Sequence, residues 1–172
     1  MIPISKKLLT LILAALLGVI GAQFSDYNLA SITPNKGTIV GAIIKVYDGD
    51  TITLQAQGKK HKIRLYGLDA PEIAQSFGVK ARDYLLQLCP LHSKALVTIK
   101  NTDKYGRIVG IVSCNNTNVN AKLVKDGYAW AYQDYTQAYL PLELYARVKN
   151  LGLWSEKNPI KPSDYRKQKS GF

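Results

Sequence analysis

The chain has 172 residues, 47% of them hydrophobic, which is material for one domain with appendages and excludes both a wholly disordered polymer and two full domains. Lys and Arg number 23 against 12 Asp and Glu, a formal charge of +11 at pH 7, so the surface suits an anionic partner: a nucleic acid, an anionic membrane or an acidic protein. Two cysteines, Cys89 and Cys114, exclude a disulfide-dense mini-scaffold, and with His61 and His92 they lack zinc-site spacing, because only Cys89 and His92 lie close together.

In chain order, residues 1–22 have the layout of a secretory signal peptide: Lys6 and Lys7, an apolar run from Leu8 to Ile20, then the small residues Gly21 and Ala22. The alternative is an uncleaved membrane anchor, since Leu8 to Ser25 contains no charge. Either reading places the domain outside the cytoplasm: secreted, periplasmic or at the cell surface. There Cys89 and Cys114 form a disulfide or remain two buried thiols. Residues 23–36 read as a linker.

Thr38 to Tyr47 is rich in β-formers, and Asp48-Gly49 signals a hairpin turn. Thr51 to Gln55 alternates with Ile52 and Leu54 on one face. Lys60 to Gly67 alternates again, with Ile63 and Leu65 opposite Arg64 and Tyr66. The period then lengthens: Ala81, Leu85 and Leu88 predict a helix over 77–88, stopped by Pro90. Ala95 to Lys100 and Ile108 to Cys114 read as strands around a turn at 103–106. Short helices are predicted from Asn120 to Asp126, stopped by Gly127, and from Pro141 to about Leu151, ended by Gly152. Lys157 to Phe172, with five Lys or Arg, reads as a loose basic tail. The fold class is therefore α+β: a five-stranded OB-fold β-barrel with about three packed helices.

Four of the twelve acids fall between positions 48 and 72: Asp48, Asp50, Asp69 and Glu72. If the strand ends that carry them meet, the carboxylates repel one another unless a cation compensates, and hard oxygens without His or Cys suit Ca²⁺ or Mg²⁺. Taken singly, Asp48-Gly49 is a turn and Asp69 to Glu72 a Pro-containing lead into a helix. Arg64 and Arg107 add two guanidinium groups. Beside a hard cation such a pair suits a phosphodiester as charge builds in its transition state. Each arginine alone is equally a surface ion-pair group.

At these residues the chain resembles a known family. Val46-Tyr-Asp-Gly-Asp-Thr51, Ile63-Arg-Leu65, Asp69-Ala-Pro-Glu72 and Asp103-Lys-Tyr-Gly-Arg107 occur in the order seen in the staphylococcal nuclease-like (thermonuclease) family. Gly127-Tyr-Ala-Trp-Ala-Tyr132 and Gly152-Leu-Trp-Ser155 look like that family's later signatures, and the likeness covers residues 37–156. The resemblance implies an exported, Ca²⁺-dependent phosphodiesterase on an OB-fold, acting on DNA and RNA with little sequence preference, monomeric and without a small-molecule cofactor. Asp50 and Asp69 are its implied carboxylate ligands to Ca²⁺, and the Ala70 carbonyl is a third. Asp48 lies behind them, acting through water. Glu72 activates or orients the attacking water, and Arg64 and Arg107 clamp the phosphate. Lys104 touches a phosphate or is a solvated turn lysine. Tyr132 and Tyr135 meet the nucleotide or pack barrel against helix. Two departures stand out: Ala70 replaces a Thr, and the stretch between Glu72 and the next helix is short. The competing classes are a non-catalytic nucleic-acid-binding OB module and a lipid-surface protein, the latter leaving the acid and arginine set unexplained.

Overall fold

The computed structural model describes residues 37–171. The signal-peptide or anchor reading of residues 1–22, and most of the linker, lie outside the described residues.

Five strands close into a barrel. β1 (Thr38–Val46), β2 (Thr51–Ala56) and β3 (Lys59–Leu65) form an antiparallel meander, its first turn the one that Asp48-Gly49 signals. β5 (Lys94–Thr102) pairs with β1, and β6 (Ile108–Cys114) pairs with β5, both antiparallel. β3 and β6 then pair in parallel, Arg64 opposite Val109, which closes the cylinder. The alternating positions explain the inside of the barrel: Ile43, Ile52, Leu54, Ile63, Leu65, Val97, Val109 and Val112 are all fully buried. This is the OB-type barrel that the strand count and patterning predict.

Helix α1 (Gly78–Leu88) buries Ala81 and Leu85, the face picked out by its apolar spacing. α2 (Val119–Lys125) starts one residue earlier than its predicted start, because Asn118 is the cap: its side chain accepts from the Ala121 amide at 3.1 Å. Asn120 instead is wholly buried. Its Oδ1 accepts from the Val112 amide at 2.9 Å, and its Nδ2 donates to the Tyr66 carbonyl at 2.8 Å, fastening α2 across the β3–β6 seam. α3 (Leu140–Val148) has Pro at its first turn and ends earlier than Leu151, with Asn150 in the left-handed region at φ 52°. A 3₁₀ turn (Gly152–Ser155) follows.

Trp130, Trp154, Phe77, Ala146 and Leu153 form a second, smaller apolar cluster. The two indoles meet edge to face at 4.3 Å, and the Arg147 guanidinium lies 3.7 Å from the Trp154 ring centre. The Trp-bearing signatures at 127–132 and 152–155 therefore act chiefly in packing. A two-stranded ladder, β4 (Leu68–Asp69) with β8 (Trp130–Ala131), ties this cluster to the barrel mouth, and β7 (Thr117–Asn118) folds back to pair antiparallel with the end of β6.

The tail is where the structure departs from the sequence reading. Residues 162–169 are not loose: they form α4 (Pro162–Lys169), with Pro at the first turn, Asp164 near the N-terminus and Arg166, Lys167 and Lys169 near the C-terminus. Among the described residues no helix is long and apolar enough to cross a membrane.

Cys89 and Cys114 are joined as a disulfide, Cα atoms 5.6 Å apart and 25 positions apart in sequence. The bond links the end of α1 to the end of β6. Restricting a loop of that length in the unfolded chain stabilises the native state by about 3 kcal/mol in the loop-entropy model. Replacing both cysteines by Ser therefore lowers the urea midpoint under oxidising conditions, measured by equilibrium unfolding; a midpoint equal to the parent's rejects this contribution.

Candidate active site

The four acids come together because two loops approach unusually closely. Gly49, between Asp48 and Asp50, sits against Ala70 and Ala81: a Cβ built there would fall 2.6 Å from the Ala70 Cβ and 2.8 Å from the Ala81 Cβ. Only the missing side chain lets the β1–β2 turn press onto the segment after β4. The contact is sealed by polar bonds. Asp50 Oδ2 accepts from the Ala70 amide at 2.8 Å, Asp50 Oδ1 accepts from Thr51 Oγ1 at 3.1 Å, and the Asp50 carbonyl accepts from the Leu65 amide at 2.8 Å. Asp69 is held by its ladder pairing with Trp130. Glu72 begins a tight turn, its carbonyl accepting from the Gln75 amide at 2.8 Å and its amide donating to Gln75 Oε1 at 2.7 Å. Gly78 lets α1 lie against this turn, since a Cβ there would come 1.8 Å from the Glu72 carbonyl oxygen.

Asp48, Asp50, Arg64, Asp69, Ala70, Glu72, Lys104, Arg107, Tyr132 and Tyr135, all named from sequence, line one cleft of ≈ 480 Å³ at the barrel mouth. Arg64 lies deepest. Its Nη2 donates to Asp69 Oδ1 at 2.9 Å, and its Nη1 stands 2.7 Å from Asp50 Oδ2 in an ion pair without hydrogen-bond alignment. The Nη1 group is buried and has no aligned acceptor among the described residues. Arg107 is aimed by Asp103, which accepts from the Arg107 amide at 2.9 Å and from Arg107 Nε at 2.7 Å. Burial pushes the Asp103 carboxyl up, but the Arg107 and Tyr105 donors outweigh it and hold it below the ordinary carboxylate range. With Nε committed, the two Nη groups of Arg107 have no protein acceptor among the described residues.

Tyr132 and Tyr135 make one wall. The Tyr132 amide donates to the Gly67 carbonyl at 2.9 Å, a consequence of the β4–β8 ladder. Tyr135 stacks on Tyr66 at 5.4 Å and meets Tyr132 edge-on at 5.0 Å. Both tyrosines are half-buried, so they pack and border the cleft at once. Lys104 is exposed on the rim, its Nζ 5.1 Å from the Tyr105 ring centre.

Sequence reasoning missed Tyr105 and Arg166, which also line the cleft. Tyr105 is 71% exposed, and Arg107 lies 5.5 Å from its ring centre. Its place inside the 103–107 turn was the available signal. Arg166 lies in the segment read as a loose basic tail, and neither its helix nor its reach into the cleft was read from the sequence.

The electrostatics are those of crowded acids. Burial, then the Asp50 charge, pushes the Asp48 carboxyl up to about 7. Burial also raises Asp69, against an opposing hydrogen bond from Arg166 and with a further push from Asp50. Among the described residues no three carboxylate, imidazole or thiol side chains are gathered closely enough to hold a metal ion as they stand. One guanidinium, however, spans Asp50 and Asp69. The two carboxylates it bridges are hard oxygens, and no described His or Cys lines the cleft beside them, a donor set whose chemistry suits a hard cation.

A closed OB-type barrel with acids and open guanidinium donors at its mouth defines a class: OB-fold proteins equipped to receive a phosphate-bearing ligand. The chain belongs to the family described as staphylococcal nuclease homologue, whose model matches residues 62–156. It is 40% identical over 129 residues to an "Uncharacterized endonuclease" of Haemophilus influenzae, covering 73% of this chain and 72% of the relative. To the "Micrococcal nuclease" of Shigella flexneri it is 37% identical over 140 residues, 74% of this chain and 80% of that one. To a "Staphylococcal-like nuclease" of Arabidopsis thaliana it is 40% identical over 116 residues, 66% of this chain and 35% of the plant protein.

Proposed function

We infer that this protein is an exported, Ca²⁺-dependent nuclease that hydrolyses phosphodiester bonds of DNA and RNA with little sequence preference. The observation that carries the reading is the pairing, in one cleft, of two Arg107 Nη groups without a protein acceptor among the described residues, and of Arg64, with the acids Asp50, Asp69 and Glu72. Carboxylates in a cleft that only binds phosphate would repel the ligand. They belong there when a cation and a proton acceptor are part of the chemistry. The names of the nuclease relatives support the same class.

Asp50, Asp69 and the Ala70 carbonyl would hold Ca²⁺, which supplies positive charge to a phosphoryl oxygen when bound. Asp48 would stand behind these ligands and act through water; its Oδ1 accepts from the Asp50 amide at 3.0 Å and steadies that loop. Arg64 and Arg107 donate to the non-bridging oxygens, more strongly as charge grows on them. Glu72, at the cleft edge, orients a water and takes its proton. Tyr132, Tyr135 and Lys104 are placed to border the nucleotide.

Substrate attraction is helped by a row of exposed lysines that continues from Arg64. Lys62 and Lys60 share its face of β3, and Lys45 lies across β2 from Lys62. Lys45 and Lys62 hold their ammonium groups 4.3 and 4.6 Å from the Tyr47 ring centre. Such a row attracts a polyanion without reading its sequence. Export is supported by the N-terminal charge-then-apolar layout and by the Cys89–Cys114 bond, which an oxidising compartment maintains.

The deciding assay incubates the purified chain with plasmid DNA and with RNA in Ca²⁺, then in excess chelator, then with Ca²⁺ restored. Cleavage that stops and returns is the expected result. Chelator-resistant cleavage overturns the cation role, and no cleavage of either polymer in Ca²⁺ overturns the enzyme reading.

A further inference from the structure

Arg166 stands in the cleft but comes from outside the residues that match the family model. Its Nη1 donates to Glu72 Oε1 at 2.7 Å and to Asp69 Oδ1 at 3.2 Å, and its Nη2 donates to Asp69 Oδ2 at 2.9 Å. One side chain thus ties up both oxygens of a proposed cation ligand and one oxygen of the proposed proton acceptor. We propose that α4 is a displaceable inhibitory strap, with Arg166 competing against the divalent cation for Asp69 and releasing Glu72 when the cation wins.

The helix is suited to leave. Of its residues only Pro162 is buried; Ser163 and Tyr165 are half-buried, and the other five are exposed. It is held by a short set of contacts: Tyr165 Oη to the Ala74 carbonyl at 3.2 Å, Gln75 Nε2 to the Ile160 carbonyl at 3.1 Å, and Lys161 5.6 Å from the Trp130 ring centre. The two hydrogen bonds hold the segment on the 72–77 turn that carries Glu72, and the lysine contact reaches Trp130 of β8. Arg64 and Arg166 already share Asp69, and a cation brought onto the same carboxylate adds a third positive charge there, which the more exposed Arg166 relieves by leaving. Cation binding and α4 docking are therefore linked, each weakening the other by the same factor. A bound cation loosens the strap, and a docked strap raises the cation concentration needed for activity.

This proposal rests on the Ca²⁺ reading above, and the test separates the two. Calorimetric titration of the full chain with CaCl₂ compares the parent with Arg166→Gln and with Lys167→Gln, which removes the same charge one residue further on. Amide exchange over 162–169 is measured with and without Ca²⁺. Expected is about tenfold tighter Ca²⁺ binding in Arg166→Gln, since a half-exposed ion pair is only partly screened. Lys167→Gln should stay within about twofold of the parent, consistent with a screened surface charge. Exchange over α4 should rise in the parent on adding Ca²⁺. Equal Ca²⁺ affinity in parent and Arg166→Gln overturns the strap and leaves the nuclease reading standing. No Ca²⁺ binding by any of the chains overturns both. Tighter binding with lost turnover at saturating Ca²⁺ also overturns the strap, because Arg166 would then be a substrate contact.

Discussion

Glu72→Gln folds like the parent and loses about 10²–10⁴-fold in kcat, the contribution of a positioned general base. The substitution keeps the shape of the side chain, and the backbone bonds that build its turn, from the Gln75 amide and to Gln75 Oε1, are untouched. The ion pair with Arg166 is lost, but both side chains are more than a third exposed, so stability changes by at most about 1 kcal/mol. What disappears is an oxygen able to take a proton. Single-turnover cleavage of a short oligonucleotide in saturating Ca²⁺, beside a thermal melt, measures both. A rate near the parent's would remove Glu72 from the chemistry.

Arg107→Lys is expected to cost a hundredfold or more in kcat/KM, on the order of 3 kcal/mol, as for the loss of one donor to a developing oxyanion. The geometry explains why a conservative change is severe. Arg107 uses Nε to hold Asp103 at 2.7 Å and keeps both Nη groups for a ligand. A lysine has one nitrogen and must choose between the turn and the phosphate. Retention of the Asp103 backbone bonds, from the Tyr105 amide at 2.9 Å for example, keeps the turn folded. Substrate affinity should fall less than kcat, because the lysine preserves the charge. A kcat/KM within twofold of the parent contradicts the clamp.

Both predictions depend on residues that the sequence places far apart. Their chemical types were legible there. Alternation in Thr51–Gln55 and Lys60–Gly67 put Arg64 on the face opposite Ile63 and Leu65, and the order of the motifs pointed to the family. The helix over 77–88 was legible because its apolar spacing matches a packed face. Two things were not. The role of Asn120 depends on a bond to the Tyr66 carbonyl, 54 positions away, that exists only once β3 and β6 have closed. The tail looked solvated because charge dominates it, while the partners that order it, the Ala74 carbonyl for Tyr165 and Gln75 for the Ile160 carbonyl, lie 91 and 85 positions away.

By itself, then, the sequence determined which segments extend and which coil, where turns break them, and which acids and arginines stand at strand ends. These are short-range matters of periodicity, backbone preference and side-chain chemistry. Only the tertiary structure decided that Gly49 seats against Ala70, that the β4–β8 ladder brings Tyr132 beside Asp69, and that Arg166 reaches Asp69 across 97 positions. Contacts of that range follow from barrel closure and close packing, in which every element sets the position of the others, and no local pattern encodes them.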